Sequence, residues 1–116
     1  MTEDTQGRTT VSPDVLITIA RFAALEVPGV SRLAPVSGGV NRFFKRGAND
    51  GVRIETDNNT VYADLHLVLQ QDVNIREVSR NVQQQVARAI QEMVGMDVSE
   101  VNIHIEDIDY TDNEAQ

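Results

Sequence analysis

Two histidines and two carboxylic acids have the residue types and the spacing of a possible metal site. Asp64 and His66 lie two residues apart in one apolar segment, and His104 and Glu106 lie two residues apart in another. Side chains at alternate positions of a strand point to the same face of a sheet, so all four share a face if the odd positions point to the core. If the two strands are neighbours, the imidazoles and carboxylates could bind a metal ion there.

Strand geometry explains the same placement without any metal. A sheet that is buried on one face carries polar side chains at alternate positions of its outer face, whatever its function. We therefore predict that these four residues hold neither a tight metal site nor another cofactor.

The serines and histidines do not form the pattern of a nucleophilic enzyme. The serines fall at a helix start, on a helix, and at strand or loop positions: Ser12, Ser31, Ser37, Ser79 and Ser99. The chain has no cysteine, and both histidines lie in predicted strands. Because nucleophilic catalysis needs a nucleophile held beside a base, the sequence predicts a protein without enzymatic activity.

The segment Arg42-Phe43-Phe44-Lys45-Arg46 places two of the chain's five aromatic residues between cations. It lies in residues 37–51, a glycine-rich stretch without a sustained hydrophobic period, which predicts a long loop. Such a cluster could enter a lipid interface, bind an acidic protein surface, or turn its rings back onto the domain's own core. We predict that these five residues contribute to binding a partner.

The charge of the chain is unevenly distributed. The net charge is −8, yet residues 13–51 have a positive balance, whereas residues 95–116 hold seven acids and no Lys or Arg. Affinity for nucleic acid comes from a basic surface that releases counterions from the phosphate backbone. The composition therefore predicts no tight nucleic-acid binding, with a local exception possible only around residues 42–46.

Length and composition predict one domain. A chain of 116 residues with 41% hydrophobic content can bury a single core without disulfide or metal support. We expect a flexible acidic tail over residues 1–8, the domain over residues 9–109, and an acidic tail over residues 110–116. The start MTEDTQGR has no apolar export signal, and no apolar run approaches the roughly 20 residues of a membrane span, so we expect no direct membrane insertion.

The hydrophobic period predicts two helices and a sheet. A first helix should begin at Ser12-Pro13 and run to about Val27, and a second should begin after Asn74 and end at Gly95. Alternating apolar residues predict a strand over 30–36, a hairpin over 52–69 and a last strand at VNIHI. We expect an α+β fold: a two-layer sandwich whose largely antiparallel sheet has two helices packed on one face. The six residues expected to share its core are Ile19, Phe22, Leu67, Val82, Val86 and Ile103.

Two long motifs resemble the alkaline shock protein family of bacterial envelope stress response proteins. They are SPDVLITIARFAALEVPGV and VYADLHLVLQQDVNIREVSRNVQQQVARAIQEMVGMDVSEVNIHIEDI, and the likeness extends over about residues 9–109. The resemblance implies a small cytoplasmic protein without known catalysis. It also implies, as for some members of that family, a position at the inner face of the cell membrane, held by a membrane-anchored partner.

The resemblance and the residues together favour a non-enzymatic stress response protein. We expect it to form a homo-oligomer and to bind a protein partner at the cytoplasmic side of the envelope. This partner is expected to be anchored in the membrane, as it is for those family members. The alternative from a different class is a small nucleic-acid or ribosome-associated binding module that uses residues 42–46 and the arginines of the second helix.

Overall fold

The computed structural model describes residues 7–35, the backbone of residues 48 and 49, and residues 51–111. Within these segments the elements are α1 (Pro13–Leu25), β1 (Val30–Leu33), β2 (Ala48–Asn49), β3 (Val52–Asp57), β4 (Thr60–Gln70), α2 (Ile75–Val94) and β5 (Asp97–Asp109). The two helices, the hairpin and the last strand confirm the predicted order. The short β2 lies within the stretch that was predicted to be a loop.

Strand β4 is the centre of the sheet. One of its edges pairs antiparallel with β3 along Thr60–Leu65 and then with β1 along Leu67–Leu69. The other edge pairs with β5, which runs parallel to β4 over its whole length. A parallel neighbour needs a long crossover connection, and α2 supplies it. The two-layer α+β fold with a largely antiparallel sheet is therefore confirmed, with β5 as its parallel strand.

The core lies between the sheet and the two helices. Odd-numbered residues of β4 are fully buried on this side, as the alternation predicts: Val61, Ala63, Leu65, Leu67 and Leu69. Helix α2 contributes one buried side chain per turn, at Val78, Val82, Val86 and Ile90. Burying these side chains removes apolar surface from water, which is the main stabilising contribution to a domain of this size.

The ends of α2 follow their sequence signals. The backbone N–H of Glu77 donates to Oδ1 of Asn74 at 2.9 Å, so the predicted asparagine cap is present. Gly95 ends the helix with a φ of 81°, a left-handed conformation that glycine adopts at little cost. At α1, Ser12 is the N-cap by position, but its side chain makes no capping hydrogen bond.

The prediction that Phe22 belongs to the core is wrong. Its side chain is 61% exposed, whereas Ile19, Leu67, Val82 and Val86 are buried as expected. The buried face of α1 is centred near Ala20, and Phe22 lies about 200° further round the helix. Ile103, the sixth predicted core residue, is half-buried and packs against the edge of the core.

Candidate functional site

The even-numbered residues of β4 from Tyr62 to His66, and those of β5 from Glu100 to Glu106, lie on the face of the sheet opposite the helices, here called the open sheet face. His66 and His104 are register partners on the two neighbouring strands. Asp64 lies one pleat away on β4, beside Asn102 of β5. The structure therefore brings together the predicted group of two histidines and two acids, because the two strands are neighbours.

A bulge in β5 places the fourth member of this group. Leu67 pairs with Ile105 and Val68 pairs with Asp107, so Glu106 is the extra residue between two ladder positions. Its Oε2 atom is hydrogen-bonded to Nδ1 of His66 at 2.6 Å. The bulge shifts Glu106 out of register with β4, and its carboxylate lies beside the imidazole of His66 on the open sheet face.

The second histidine belongs to a chain of polar and charged groups that crosses to β3. Nε2 of His104 lies 3.3 Å from Oδ1 of Asp64, and Oδ2 of Asp64 lies 3.6 Å from Nη1 of Arg53. Arg53 in turn donates through Nη2 to Oε2 of Glu55 at 2.5 Å. Arg53 and Glu55 were not predicted as members of this group, although both occupy alternate positions on the outer face of the hairpin.

The two imidazoles stack on each other. Their ring centroids are 4.6 Å apart and their planes differ by 15°. A metal ion must lie close to the plane of each imidazole that binds it, at about 2.0 to 2.1 Å from the nitrogen. Two stacked rings have separate planes and cannot both meet this condition for one ion. Across the described residues, no group of three or more His, Cys, Asp or Glu side chains is arranged to hold a metal.

The absence of a tight metal site at these four residues stays a prediction. We expect isothermal titration calorimetry with zinc or nickel to show no micromolar binding, because both imidazoles already face carboxylates in the stacked arrangement. The matched control is a double variant, His66→Ala with His104→Ala. Micromolar binding by the natural chain that disappears in this variant would contradict the prediction.

The helical layer presents an apolar groove between α1 and α2. Phe22 and Met93 stand at its rim with exposed fractions of 61% and 70%, which are high for large apolar side chains. Arg88 and Glu92 form a surface ion pair beside them, with Nε and Oε2 3.2 Å apart. Exposed apolar side chains grouped in this way are typical of surfaces that contact other molecules.

Asp109 anchors the end of β5 across the sheet. Ser31 of β1 donates its hydroxyl to Oδ2 of Asp109 at 2.6 Å, and the backbone N–H of Thr111 donates to Oδ1 at 2.9 Å. The Ser31 hydrogen bond, followed by those from Thr111 and the charge of Arg32, lowers the pKa of Asp109 from 3.8 to about 2. These contacts stabilise the ionised carboxylate.

The lowered pKa of Asp109 predicts an acid-dependent loss of stability. A carboxyl group whose folded pKa lies below its unfolded pKa stabilises the fold above the unfolded value, and this contribution is lost as pH falls from about 4 towards 2. We expect Asp109→Asn to be less stable than the natural chain at about pH 6, with the difference narrowing across that window. Urea unfolding titrations at a series of pH values measure this difference in stability. A difference that stays constant down to pH 2 would contradict the assignment, and Ser31→Ala should reproduce part of the effect.

The predicted partner-binding residues Arg42, Phe43, Phe44, Lys45 and Arg46 lie outside the described residues. Their role stays a prediction. The nearest described residues on the two sides of this segment are Pro35 and the short strand β2 (Ala48–Asn49).

Comparison with known proteins identifies the family. Residues 1–110 match the model of the alkaline shock protein family, which is described by a cell envelope-related function. The chain belongs to the alkaline shock protein family. The match covers nearly the whole chain and confirms the resemblance that the two long motifs indicated.

Relatives of this alkaline shock family chain occur in Bacillus subtilis and Streptococcus pyogenes. It is 32% identical to the uncharacterized protein YqhY of Bacillus subtilis over 117 residues, a match that covers 98% of this chain and 86% of YqhY. It is 35% identical to the uncharacterized protein Spy1535 of Streptococcus pyogenes over 109 residues, covering 93% and 84% of the two chains.

Solved structures of the MamM CTD share the fold. Its copper form superposes with a TM-score of 0.53 at 13% identity, covering 85% of this chain and 89% of that one. A double variant of the same domain gives a TM-score of 0.53 at 11% identity, covering 84% and 95%. At such low identity the likeness concerns the fold alone, because one fold hosts many functions.

Neither helix of the described residues is long and apolar enough to cross a membrane.

Proposed function

We propose that this alkaline shock family member is a non-enzymatic envelope and alkaline stress response protein that acts by self-association and by binding a membrane-associated protein partner. Its working place is the cytoplasm, peripheral to the inner face of the cell membrane. The observation that carries the proposal is the match of residues 1–110 to a family with a cell envelope-related function.

The open sheet face supports a role other than catalysis. Its histidines and acids pair with one another, and one member of each pair is open to solvent: Glu106 is 43% exposed and His104 is 46% exposed. Catalytic acids and bases work in sites that exclude water, where electrostatic interactions are strong. A surface network of this kind contributes little to catalysis and is better suited to molecular contacts.

Two described surfaces support binding and self-association. The groove between α1 and α2 exposes Phe22 and Met93, and such apolar side chains gain stability when a partner covers them. The outer edge of β5 has no strand neighbour within the part of the chain that the structure describes. Edge strands offer backbone hydrogen-bonding groups to another chain.

The segment Arg42-Phe43-Phe44-Lys45-Arg46 adds a third contact to the proposal. Its two phenylalanines offer apolar area and its three cations offer positive charge, a combination suited to an acidic protein surface. The acids of residues 106–114 can compete for the same cations when no partner is present.

The experiment replaces Phe43 and Phe44 together by serine. We expect recruitment to membranes in cells to fall by about tenfold, because buried aromatic anchors carry much of the binding energy at interfaces. The thermal unfolding midpoint should change little, since the proposal places these rings in the contact and not in the core. Membrane fractionation and thermal unfolding of the purified variant are the two measurements.

A matched control is Tyr110→Ser, which removes an exposed aromatic ring just after β5, outside the groove and the segment 42–46. This variant should keep its recruitment if residues 42–46 supply the contact. Loss of stability without loss of recruitment in the double variant would mean that Phe43 and Phe44 belong to the core, and would overturn this part of the proposal.

A further inference from the structure

The outer edge of β5 has a defined regular length. Its register with β4 is unbroken from Glu100, beside Tyr62, to Ile105, beside Leu67. Bulges at Ser99 and Glu106 interrupt the ladder on either side of this stretch. Bulges twist an edge away from pairing, so they confine any incoming strand to the residues between them.

The two sides of this edge differ in chemistry. On the helical side, Val101, Ile103 and Ile105 are only half-buried, although they pack against the core. On the open sheet face, the side chains of the same stretch are exposed and polar, and a carboxylate stands at each end, Glu100 and Glu106. A strand added at this edge would cover the apolar row on one side and meet the carboxylates on the other.

Charge decides which kind of strand fits. Strand β5 carries five carboxylates and no lysine or arginine: Asp97, Glu100, Glu106, Asp107 and Asp109. A second copy of β5 would place acids against acids, and like charges on adjacent strands destabilise pairing. An extended segment with alternating apolar and basic residues would satisfy both sides of the edge.

We infer that the β5 edge between Glu100 and Ile105 is a docking site for an extended segment of a partner protein in which apolar residues alternate with lysine or arginine. The segment adds a strand to the sheet through backbone hydrogen bonds and displaces the side chain of Gln83, whose Nε2 donates to the Val101 carbonyl at 3.0 Å. Its apolar side chains cover Val101, Ile103 and Ile105, and its cations meet Glu100 and Glu106. This inference rests on the proposed partner binding and names the chemistry of one partner segment.

The test uses the full chain and a capped peptide, Lys-Val-Lys-Val-Lys-Val-Lys. In nuclear magnetic resonance titrations of the isotope-labelled chain, the peptide should shift the backbone amides of Glu100–Ile105 more than those of α1 or α2. A capped peptide with glutamate in place of lysine should bind at least about tenfold more weakly, because acidic side chains would face Glu100 and Glu106. Shifts centred on the groove at Phe22 and Met93 would overturn the inference.

Backbone pairing is tested separately with N-methylated peptides. One set of alternate amides of an added strand faces β5 and the other set faces solvent, so methylating only one set blocks pairing. Two peptides are compared, the first methylated at every valine amide and the second at every lysine amide. Only one of the two should keep its affinity for the chain. Equal binding by the two would exclude strand addition.

A charge reversal in the chain completes the design. Glu100→Lys should weaken the binding of the lysine peptide about fivefold at low salt and by a smaller factor at high salt. Glu26→Lys, the same change at an exposed residue at the end of α1, is the matched control and should leave binding unchanged. Equal loss in both variants would mean that overall charge, and not the β5 edge, attracts the peptide, which would overturn the inference.

The outcome is distinguishable from a failure of the proposed function. Specific peptide pairing by a chain that is never recruited to membranes would support the docking site and contradict the envelope role. Recruitment that survives Glu100→Lys unchanged would support the envelope role and contradict β5 as the partner contact. Amide protection of Glu100–Ile105 that rises with protein concentration alone would assign the edge to a second copy and overturn the inference.

Discussion

Replacing Leu67 by alanine should lower the free energy of unfolding by about 2 to 4 kcal/mol. Leu67 is fully buried at the centre of β4, where it is the register partner of Leu33 on one side and Ile105 on the other. Removing its branched end loses burial and leaves a cavity, because strands on both sides and helices above limit how far the core can relax. Urea unfolding measures the change as a lower midpoint with an unchanged slope.

Leu25→Ala is the matched control for Leu67→Ala. Leu25 is the last residue of α1 and is 40% exposed, so the same truncation removes less buried surface. We expect a cost below about 1 kcal/mol. An unchanged unfolding midpoint for Leu67→Ala would contradict the assignment of this residue to the core.

Replacing Gly51 by alanine should cost about 3 kcal/mol. Gly51 has a φ of 91°, and a Cβ atom at this position would overlap the carbonyl oxygen of Ala34 and come within 3.1 Å of that of His66. Both neighbours are backbone atoms, and the residues that carry them are held by hydrogen bonds. His66 donates to the Gly51 carbonyl at 2.8 Å, and Ala34 donates to the His66 carbonyl at 2.8 Å.

Gly51 is critical because of its place in the sheet. At His66 the edge of β4 passes from one antiparallel partner, β3, to the other, β1. The chain end before β3 and the end after β1 must approach each other closely there, and only a residue without a side chain fits between them. Chemical denaturation of Gly51→Ala measures the resulting strain.

Gly95→Ala separates crowding from backbone strain. Gly95 also has a positive φ, 81°, but a Cβ atom there would have no neighbour within 4 Å. Its substitution should therefore cost only about 1 kcal/mol, from the left-handed backbone. Equal losses for Gly51→Ala and Gly95→Ala would contradict the close approach described for Gly51.

Local signals in the sequence were sufficient to predict most elements. Asn74 and Gly95 correctly marked the two ends of α2, because capping chemistry depends on residues that are close in sequence. Alternation correctly located the hairpin, and Asn58 and Asn59 form its turn. The first helix ends at Leu25, slightly earlier than predicted, because the Pro28-Gly29 signal marks only an outer limit.

The extent and direction of β5 were harder to predict. The strand runs from Asp97 to Asp109, well beyond VNIHI, because bulges break its alternation. The apolar spacing already contains this signal, since Val98 to Val101 and Ile105 to Ile108 are steps of three and the intervening steps are two. Pairing parallel to β4 depends on tertiary contacts with α2, which periodicity does not encode.

The candidate site was predicted in part. Asp64, His66, His104 and Glu106 lie together as anticipated, since strict alternation fixes their face and the pairing of β4 with β5 makes them neighbours. The stacking of the imidazoles and the link to Arg53 depend on register and rotamers, which the sequence does not specify. The exposure of Phe22 was missed because its apolar side chain was assigned to the buried face of α1, and that face is narrower than the apolar residues alone indicate.

Binding of the purified chain to two kinds of vesicle tests whether a membrane-associated protein recruits it. One kind is prepared from the membranes of native cells with their proteins present, and the other contains only the lipids extracted from them. The proposed function requires a membrane-associated protein partner, so the chain should sediment with the first vesicles and remain in solution with the second. Equal sedimentation with both would show direct lipid binding, and sedimentation with neither would contradict the proposed envelope role.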